Sequence, residues 1–415
     1  MFSKWQWLLN QLLQKLWLRA ALFGLLAIFI ALVAIPLEKL IDNPLPFSIS
    51  SSAVSDILHI VASSMLAVTT FSLGVMVSAY ASASSGATPR ANQLVKKDTT
   101  SQNVLATFLG SFIYSLVGII ALHMDIYGQT GLIILFATTL AVIAIIVITI
   151  LRWIEHLSRL GRVGETSKRV EVATEKALIE RMSYPFLGGR PMESSNVPAD
   201  AIAIFTDKIG FIQHIDTGSI ASMASQHSAE VGILSLTGKF VHTGEPIAWL
   251  RNTRDTNLIN HIRRAFSIGD ERSFEQDPRF GMCVLGEIAS RALSPAVNDP
   301  GTAIDILSRS VRILQHWKIA KDPVAKAQYQ NLWVPSMQLS DVMDDLFLPI
   351  ARDAGGLIEV HIRLQKSLQA LMTTNANVFA EDVRRISQYD LDHADKSLVL
   401  DSEKQQLIAL AKNLL

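Results

Sequence analysis

Long uncharged apolar runs alternate with short basic segments over the first 151 residues; beyond that, the hydrophobic positions fall at ordinary amphipathic spacing. Four runs are long enough to cross a bilayer as helices, which takes about 20 residues at about 1.5 Å each. They cover 20–37, 57–86, 103–122 and 131–151. The second is polar at both ends, so its span proper falls near 60–82. The third and fourth are separated by a short turn containing MDIYG (124–128), which suits a helical hairpin.

Basic residues orient these spans. Lys4, Lys15 and Arg19 precede the first, Arg90, Lys96 and Lys97 lie between the second and third, and Arg152, Arg159, Arg162, Lys168 and Arg169 follow the fourth. The opposite loops hold Lys39 against Glu38, Asp42, Asp56 and Asp125. The pattern predicts four transmembrane helices with both termini in the cytoplasm. No small-x-small site follows the first span cleanly, so it reads as an anchor and not as a cleaved leader. Residues 2–17 place Trp5, Leu8, Leu9, Leu12, Leu13 and Leu16 at helical spacing. This gives an amphipathic segment over 1–19, expected either to lie on the inner leaflet or to extend the first span.

Within the second span, Ser63, Ala67, Thr70, Gly74, Ser78, Ala81 and Ser85 recur at steps of 4, 3, 4, 4, 3 and 4. They share one helical face and every side chain is small. Ser64, Thr69, Ser72, Ser82 and Ser84 widen the face. Small residues let helices approach closely, and hydroxyls bond across helices or to their own carbonyl four residues back. Close packing therefore explains the face, and so does a polar path between subunits, gated by apolar rings at Met65, Phe71 or Met76. No charge sits at mid-membrane, which argues against a proton relay. Gly86 and Pro89 end the helix, and Arg90 marks its cytoplasmic mouth.

The stretches TTFSLGVMVSAYASAS, ATPRANQLVKKDTTSQNVLATFLGSFIYSLV, RWIEHLSRLGRVGET, GFIQHID and QDPRFGMCVLGEIASRALSPAVNDPGTAIDIL resemble a family of bacterial predicted membrane proteins, domain of unknown function 2254. The resemblance runs from about residue 50 to 320. It implies a bacterial inner-membrane protein and carries over no functional residue.

The cytoplasmic part is expected to be α+β. Residues 152–195 read as a polar helix continuing the fourth span, broken softly at Gly161 and Gly164, followed by a linker. Over 196–255, Ile209, Phe211, Gln213 and Ile215 alternate, and GKFVHTGEPIAWL resembles the half-barrel hairpin of lipoyl-type domains; a small β-barrel-like module is predicted there. Lys239 is not placed like the carrier lysine of those domains. From 256 to 415 the chain reads as a helical domain. Asp277-Pro278 and Asp299-Pro300 are helix starts, with aspartate as N-cap and proline in the first turn. Glu287 and Arg291 are spaced to pair on the first of these helices. The corner between the two helices is a candidate anion pocket built from Arg279, Arg291, Asn298, Gly301 and Thr302. Asp341, Asp344 and Asp345, and the scattered His214, His227, His242 and His261, make no recognisable metal set.

Composition narrows the function. Lys+Arg and Asp+Glu both total 37, so no basic field points to nucleic acid. The single cysteine, Cys283, excludes an intrachain disulfide. Phosphate-loop, serine-hydrolase, zinc-protease and dinucleotide-binding motifs do not occur. The expectation is a non-enzyme without cofactor, partnered by the bilayer, by copies of itself and by a small anionic ligand on the cytoplasmic side. Its leading function is an oligomeric channel with a cytoplasmic sensing domain. The alternatives are a membrane-anchored scaffold with a dry bundle, or an enzyme of unfamiliar constellation.

Overall fold

The computed structural model describes residues 16–38, 49–192, 197–319, 324 and 327–414. Most of the predicted amphipathic segment, and the loop with Lys39 and Asp42, lie outside the described residues. The chain forms two compact units: one runs up to Gly86 and includes Asn92–Glu165, the other holds Ala87–Ala91 and Thr166–Leu415.

The first unit is a helical bundle: α1 Leu16–Glu38, α2 Ser51–Gly86, α3 Asn92–Lys96, α4 Thr99–His123 and α5 Gln129–Leu157. Asp98 starts α4 by accepting the Ser101 amide at 3.1 Å. Helix α4 is central and packs against α1, α2 and α5. Helix α2 turns Val54, Leu58, Val61, Met65, Ser72, Met76, Ala79 and Ala83 inward, at the spacing of one helical stripe. Polar contacts also join the helices: Trp153 Nε1 donates to Ser72 Oγ at 3.1 Å, and the Tyr114 hydroxyl lies 2.8 and 3.0 Å from those of Thr138 and Thr139.

Three stretches among the described residues are long and apolar enough to cross a membrane: Ser51–Gly86, Asn92–His123 and Gln129–Leu157. The first predicted span falls on α1, which is not among these three. The predicted break at Gly161 is real. Helix α5 ends at Leu157 and Gly161 follows with a φ of +79°, where a Cβ would come within 3.1 Å of the Ala79 carbonyl. Gly164 breaks nothing; it lies inside α6, Val163–Ser183.

The second unit is α+β. Its strands are β1 Arg190–Met192, β2 Ile202–Phe205, β3 Gly210–Ile215, β4 Glu230–Ile233, β5 Phe240–Val241, β6 Pro246–Arg251, β7 Phe266–Gly269 and β8 Leu332–Pro335. They make a mixed five-stranded sheet, β1-β8-β4-β6-β2, and an antiparallel three-stranded one, β5-β3-β7. This corrects the barrel-like module. Strands β5 and β6, expected to pair across the GKFVHTGEP turn, go to different sheets. The reason is legible in β6: Ile247, Ala248, Trp249 and Leu250 are all buried, as in a central strand covered on both faces. Helices α7 (Thr217–Gln226) and α8 (Thr256–Ala265) supply part of that cover: Ile220, Ala221, Leu258 and Ile262 share a core with Val231, Ile247 and Leu332. Gly232 is obligatory in β4, since a Cβ there would sit 2.0 Å from the Trp249 ring.

Six helices complete the unit: α9 Pro278–Leu293, α10 Pro300–Leu314, α11 Leu339–Asp353, α12 Ile358–Thr374, α13 Ala376–Ser397 and α14 Asp401–Ala411. Asp277 and Asp299 cap α9 and α10 as the Asp-Pro pairs predict, accepting the Phe280 and Thr302 amides at 3.0 and 3.1 Å.

Candidate functional site

The small-residue face of α2 lies on the outside of its bundle. Ser63, Ala67, Thr70, Gly74, Ser78, Ala81 and Ser85 are all exposed, and nothing stands within 4 Å of where a Gly74 Cβ would be. At about 3.6 residues per turn this face is roughly opposite the stripe that packs inward. Exposed Leu66, Leu73 and Val77 flank it on one side, Ile60 and Phe71 on the other. The result is a shallow trough of small side chains between apolar ridges. Its hydroxyls bond to their own helix: Ser63 Oγ to the His59 carbonyl at 2.9 Å, Thr70 Oγ1 to Leu66 at 3.0 Å, and Ser85 Oγ to Ser82 at 3.1 Å. Asp56 and His59 fall on the same face and are also exposed. The helical spacing that marked the seven positions extends to these two, but the sequence reading stopped at Ser63.

The predicted gate does not share this face. Met65 and Met76 are 4% and 3% exposed and point into the bundle, because their positions have the period of Val61, Ser72 and Ala79. Met65 packs with Val104, Phe108, Ile146 and Trp153. Of the three, Phe71 alone faces outward.

The predicted anion corner is not assembled. Arg279 begins α9 and Arg291 ends it, twelve residues on, or about 18 Å along the axis. Arg279 is spent on Asp345 and Asp341, at 2.6 and 2.7 Å. These are two of the three aspartates weighed for a metal; the third, Asp344, pairs with Arg385. Asp299 takes both the Thr302 amide and its hydroxyl, at 3.1 and 2.6 Å. That closes the helix start to another anion. Gly301, Asn298 and Arg291 are exposed around it, with Asn298 at a φ of +50°. Glu287 pairs with Arg90 instead of Arg291, and accepts the Thr88 hydroxyl at 3.0 Å. No group of three or more His, Cys, Asp or Glu among the described residues is placed to hold a metal. The histidines are dispersed: His227 lies 3.2 Å from Asp255, His261 bonds Ser219, and His242 accepts the Gly244 amide.

One functional candidate escaped the sequence reading. Arg181 is 5% exposed, on the buried face of α6 with Val170, Thr174 and Ala177. The signal was present: 170, 174, 177 and 181 follow core spacing, and an arginine at a core position calls for a partner.

Three helical stretches long and apolar enough to cross a membrane, followed by an α+β unit, define the class of predicted membrane proteins with a second, mixed unit. The chain belongs to the family described as "Predicted membrane protein (DUF2254)", whose model matches residues 14–370. It is also similar to an uncharacterized protein of Mycobacterium bovis, 34% identical over 116 residues, which is 26% of this chain and 22% of that one. An uncharacterized protein of Mycobacterium tuberculosis is similar to the same extent. The chain thus matches about a fifth of the length of these curated relatives. No solved structure matches it.

Proposed function

We propose that the protein assembles with copies of itself in a bacterial inner membrane through the outer face of α2, and that the seam is a permeation path regulated by the 166–415 unit. The carrying observation is that all seven small residues of the face are exposed within one chain. A trough of small side chains between apolar ridges suits the close approach of a second helix. Asp56 and His59, exposed just outside the span proper of 60–82, give one mouth of the seam a polar rim. Phe71 remains as the apolar constriction. On this reading 20–37 is a fourth span, both termini are cytoplasmic, and residues 87–91, which group with 166–415, lie on the same side as that unit. The reading assigns the chain no catalytic step.

A dry scaffold seam is the second reading. It is favoured by the hydroxyls of Ser63, Thr70 and Ser85, which are satisfied by their own carbonyls and need no water.

Single cysteines at Ser78 and Met65, in a Cys283→Ala background, test the assembly. Oxidation in membranes is expected to cross-link copies through position 78 and not through position 65. Ion release from liposomes holding the purified protein tests the path. Cross-linking without release leaves the dry seam; absence of both removes the assembly.

A further inference from the structure

His156, in the last turn of α5, reaches across to the start of α4. Its Nε2 lies 2.7 Å from Oδ2 of Asp98, the aspartate that caps α4, and 3.3 Å from Oγ of Ser101. The same Asp98 oxygen accepts the Ser101 amide at 3.1 Å and the Ser101 hydroxyl. The two ionisable side chains are nearly out of solvent, 17% exposed for His156 and 7% for Asp98. A carboxylate that has given up most of its water gains more from an imidazolium than from a neutral ring.

The other side of the contact also favours the charged ring. His156 stacks on the indole of Trp153, with centroids 5.7 Å apart and planes at 24°, within the range over which an aromatic face attracts a cation. Trp153 is 3% exposed, and its Nε1 donates to Oγ of Ser72, a buried residue on the inward stripe of α2. Four side chains thus run in sequence from the cap of α4, through the end of α5, to α2. The remaining charges around them come from every element packed against α5. Its own end carries Arg152, Glu155, Arg159 and Arg162, of which Glu155 and Arg159 pair at 2.8 Å. Lys96 and Lys97 precede Asp98, and Arg19 of α1 donates to Asn103 at 2.7 Å. Helix α2 has no charged residue beyond His59.

We propose that Asp98, His156, Trp153 and Ser72 form a proton-operated clasp. Histidine is the side chain that ordinarily changes charge near neutral pH. With the ring protonated, its bond to Asp98 is an ion pair and its stack on Trp153 a cation–π contact, and α2, α4 and α5 are held together. Loss of the proton leaves Asp98 a neutral donor and Trp153 a neutral neighbour, and the clasp loosens. The device is independent of whether the α2 face conducts.

The test uses the full chain in phosphatidylcholine nanodiscs, taken from about pH 8 to about pH 5. An imidazolium stacked on an indole quenches its fluorescence by accepting an electron from the excited ring. Tryptophan emission is therefore expected to fall in a step on acidification, and amide exchange over 98–103 and 150–157, corrected for its intrinsic pH dependence, to slow across the same step. Both changes are expected to be lost in His156→Gln, which keeps a neutral donor toward Asp98; the fluorescence step alone is expected to be lost in Trp153→Phe. Should His156→Gln fail to fold, Asp98→Asn decides, since asparagine still caps α4: its step is expected at lower pH than in the wild type, and an unmoved step overturns the clasp. The proposal also falls if the wild type shows no step, if the fluorescence step survives Trp153→Phe, or if exchange follows pH equally in the wild type and in His156→Gln.

Discussion

The Nδ1 of His361 lies 2.7 Å from Oδ1 of Asp390, and its Nε2 lies 3.0 Å from the Gly355 carbonyl. Both neighbours are acceptors, so satisfying both requires an imidazolium carrying two protons. The site is closed to solvent. The second Asp390 oxygen accepts from Gln365 Nε2 at 2.7 Å, and Gln365 in turn accepts the Ser387 hydroxyl at 2.7 Å. A chain of four polar side chains thus ties α12 to α13 inside an apolar core.

This relationship predicts an alkaline weakness. Burial alone would lower the His361 pKa; the bond and charge from Asp390 and the Gly355 carbonyl outweigh it and hold it above the usual histidine range. A group raised on folding stabilises fully below its unfolded pKa, about 6.5, and the contribution is lost as pH rises through the folded value. Amide hydrogen exchange in α12 and α13, corrected for the intrinsic pH dependence of exchange, is expected to show falling protection as pH climbs above that unfolded value. In His361→Gln the same helices are expected to be less protected throughout, with that slope flattened. An unchanged slope in the variant would assign the pH dependence to another group.

Glu171 of α6 is the acid counterpart. Burial raises its pKa, but hydrogen bonds and charge from Arg312 and Arg309 of α10 prevail and hold it below the usual carboxylate range. A carboxylate lowered on folding stabilises above its unfolded pKa and loses this as pH falls through the folded one. Glu171→Gln deprives Arg312 of its carboxylate and leaves Arg309 with Asp305 alone. It is expected to destabilise the protein by roughly 2–4 kcal/mol at neutral pH. The difference from the wild type, read from denaturant midpoints, should shrink in acid.

The bundle was legible because apolar periodicity in α2, α4 and α5 is long and uninterrupted, and because seven small residues in register can face only one way. The inward place of Met65 and Met76 follows from the same wheel, which puts them opposite that face. The mixed sheet was not legible. Its strands β1 and β8 come from residues 190–192 and 332–335, far apart in sequence, and β8 pairs in parallel with both β1 and β4. Local alternation reports a strand but not its partner. The short α7 was overlooked although Asp216 caps it, accepting the Ser219 amide at 3.0 Å, whereas α8 begins at 256, where the helical region is predicted to start, capped by Asp255 accepting the Asn257 amide at 2.7 Å. The anion corner failed on arithmetic available from the start, since twelve residues of helix separate Arg279 from Arg291.

Cys283 is expected to be inert in the folded protein. Burial, followed by the Asp345 charge, pushes its thiol up to about 12, so almost no thiolate exists at neutral pH. Maleimide at pH 7.5 should leave it unmodified under native conditions and modify it fully in denaturant, with mass spectrometry as readout. Native labelling as fast as unfolded labelling would contradict the burial.

The α2 face makes the last prediction, because added bulk separates its two readings. Thr70 and Ser78 lie on the exposed face, clear of the inward stripe, so leucine at either leaves the single chain's own packing intact. If the face lines a wetted path between copies, Thr70→Leu or Ser78→Leu narrows it: release from liposomes falls while the oligomer persists on size-exclusion chromatography. If the face is a dry seam, the added side chain has to be accommodated where helices touch, at about 1–3 kcal/mol per contact. The oligomer then weakens, with no release to lose. An interhelical hydroxyl bond in membranes averages only about 0.6 kcal/mol, so Ser78→Ala should barely affect assembly under either reading. It is therefore the control for removing the hydroxyl without adding volume. Leucine variants that assemble and release ions like the wild type would place the contact between copies elsewhere, and Ile60, Leu66 and Phe71 would then simply face lipid.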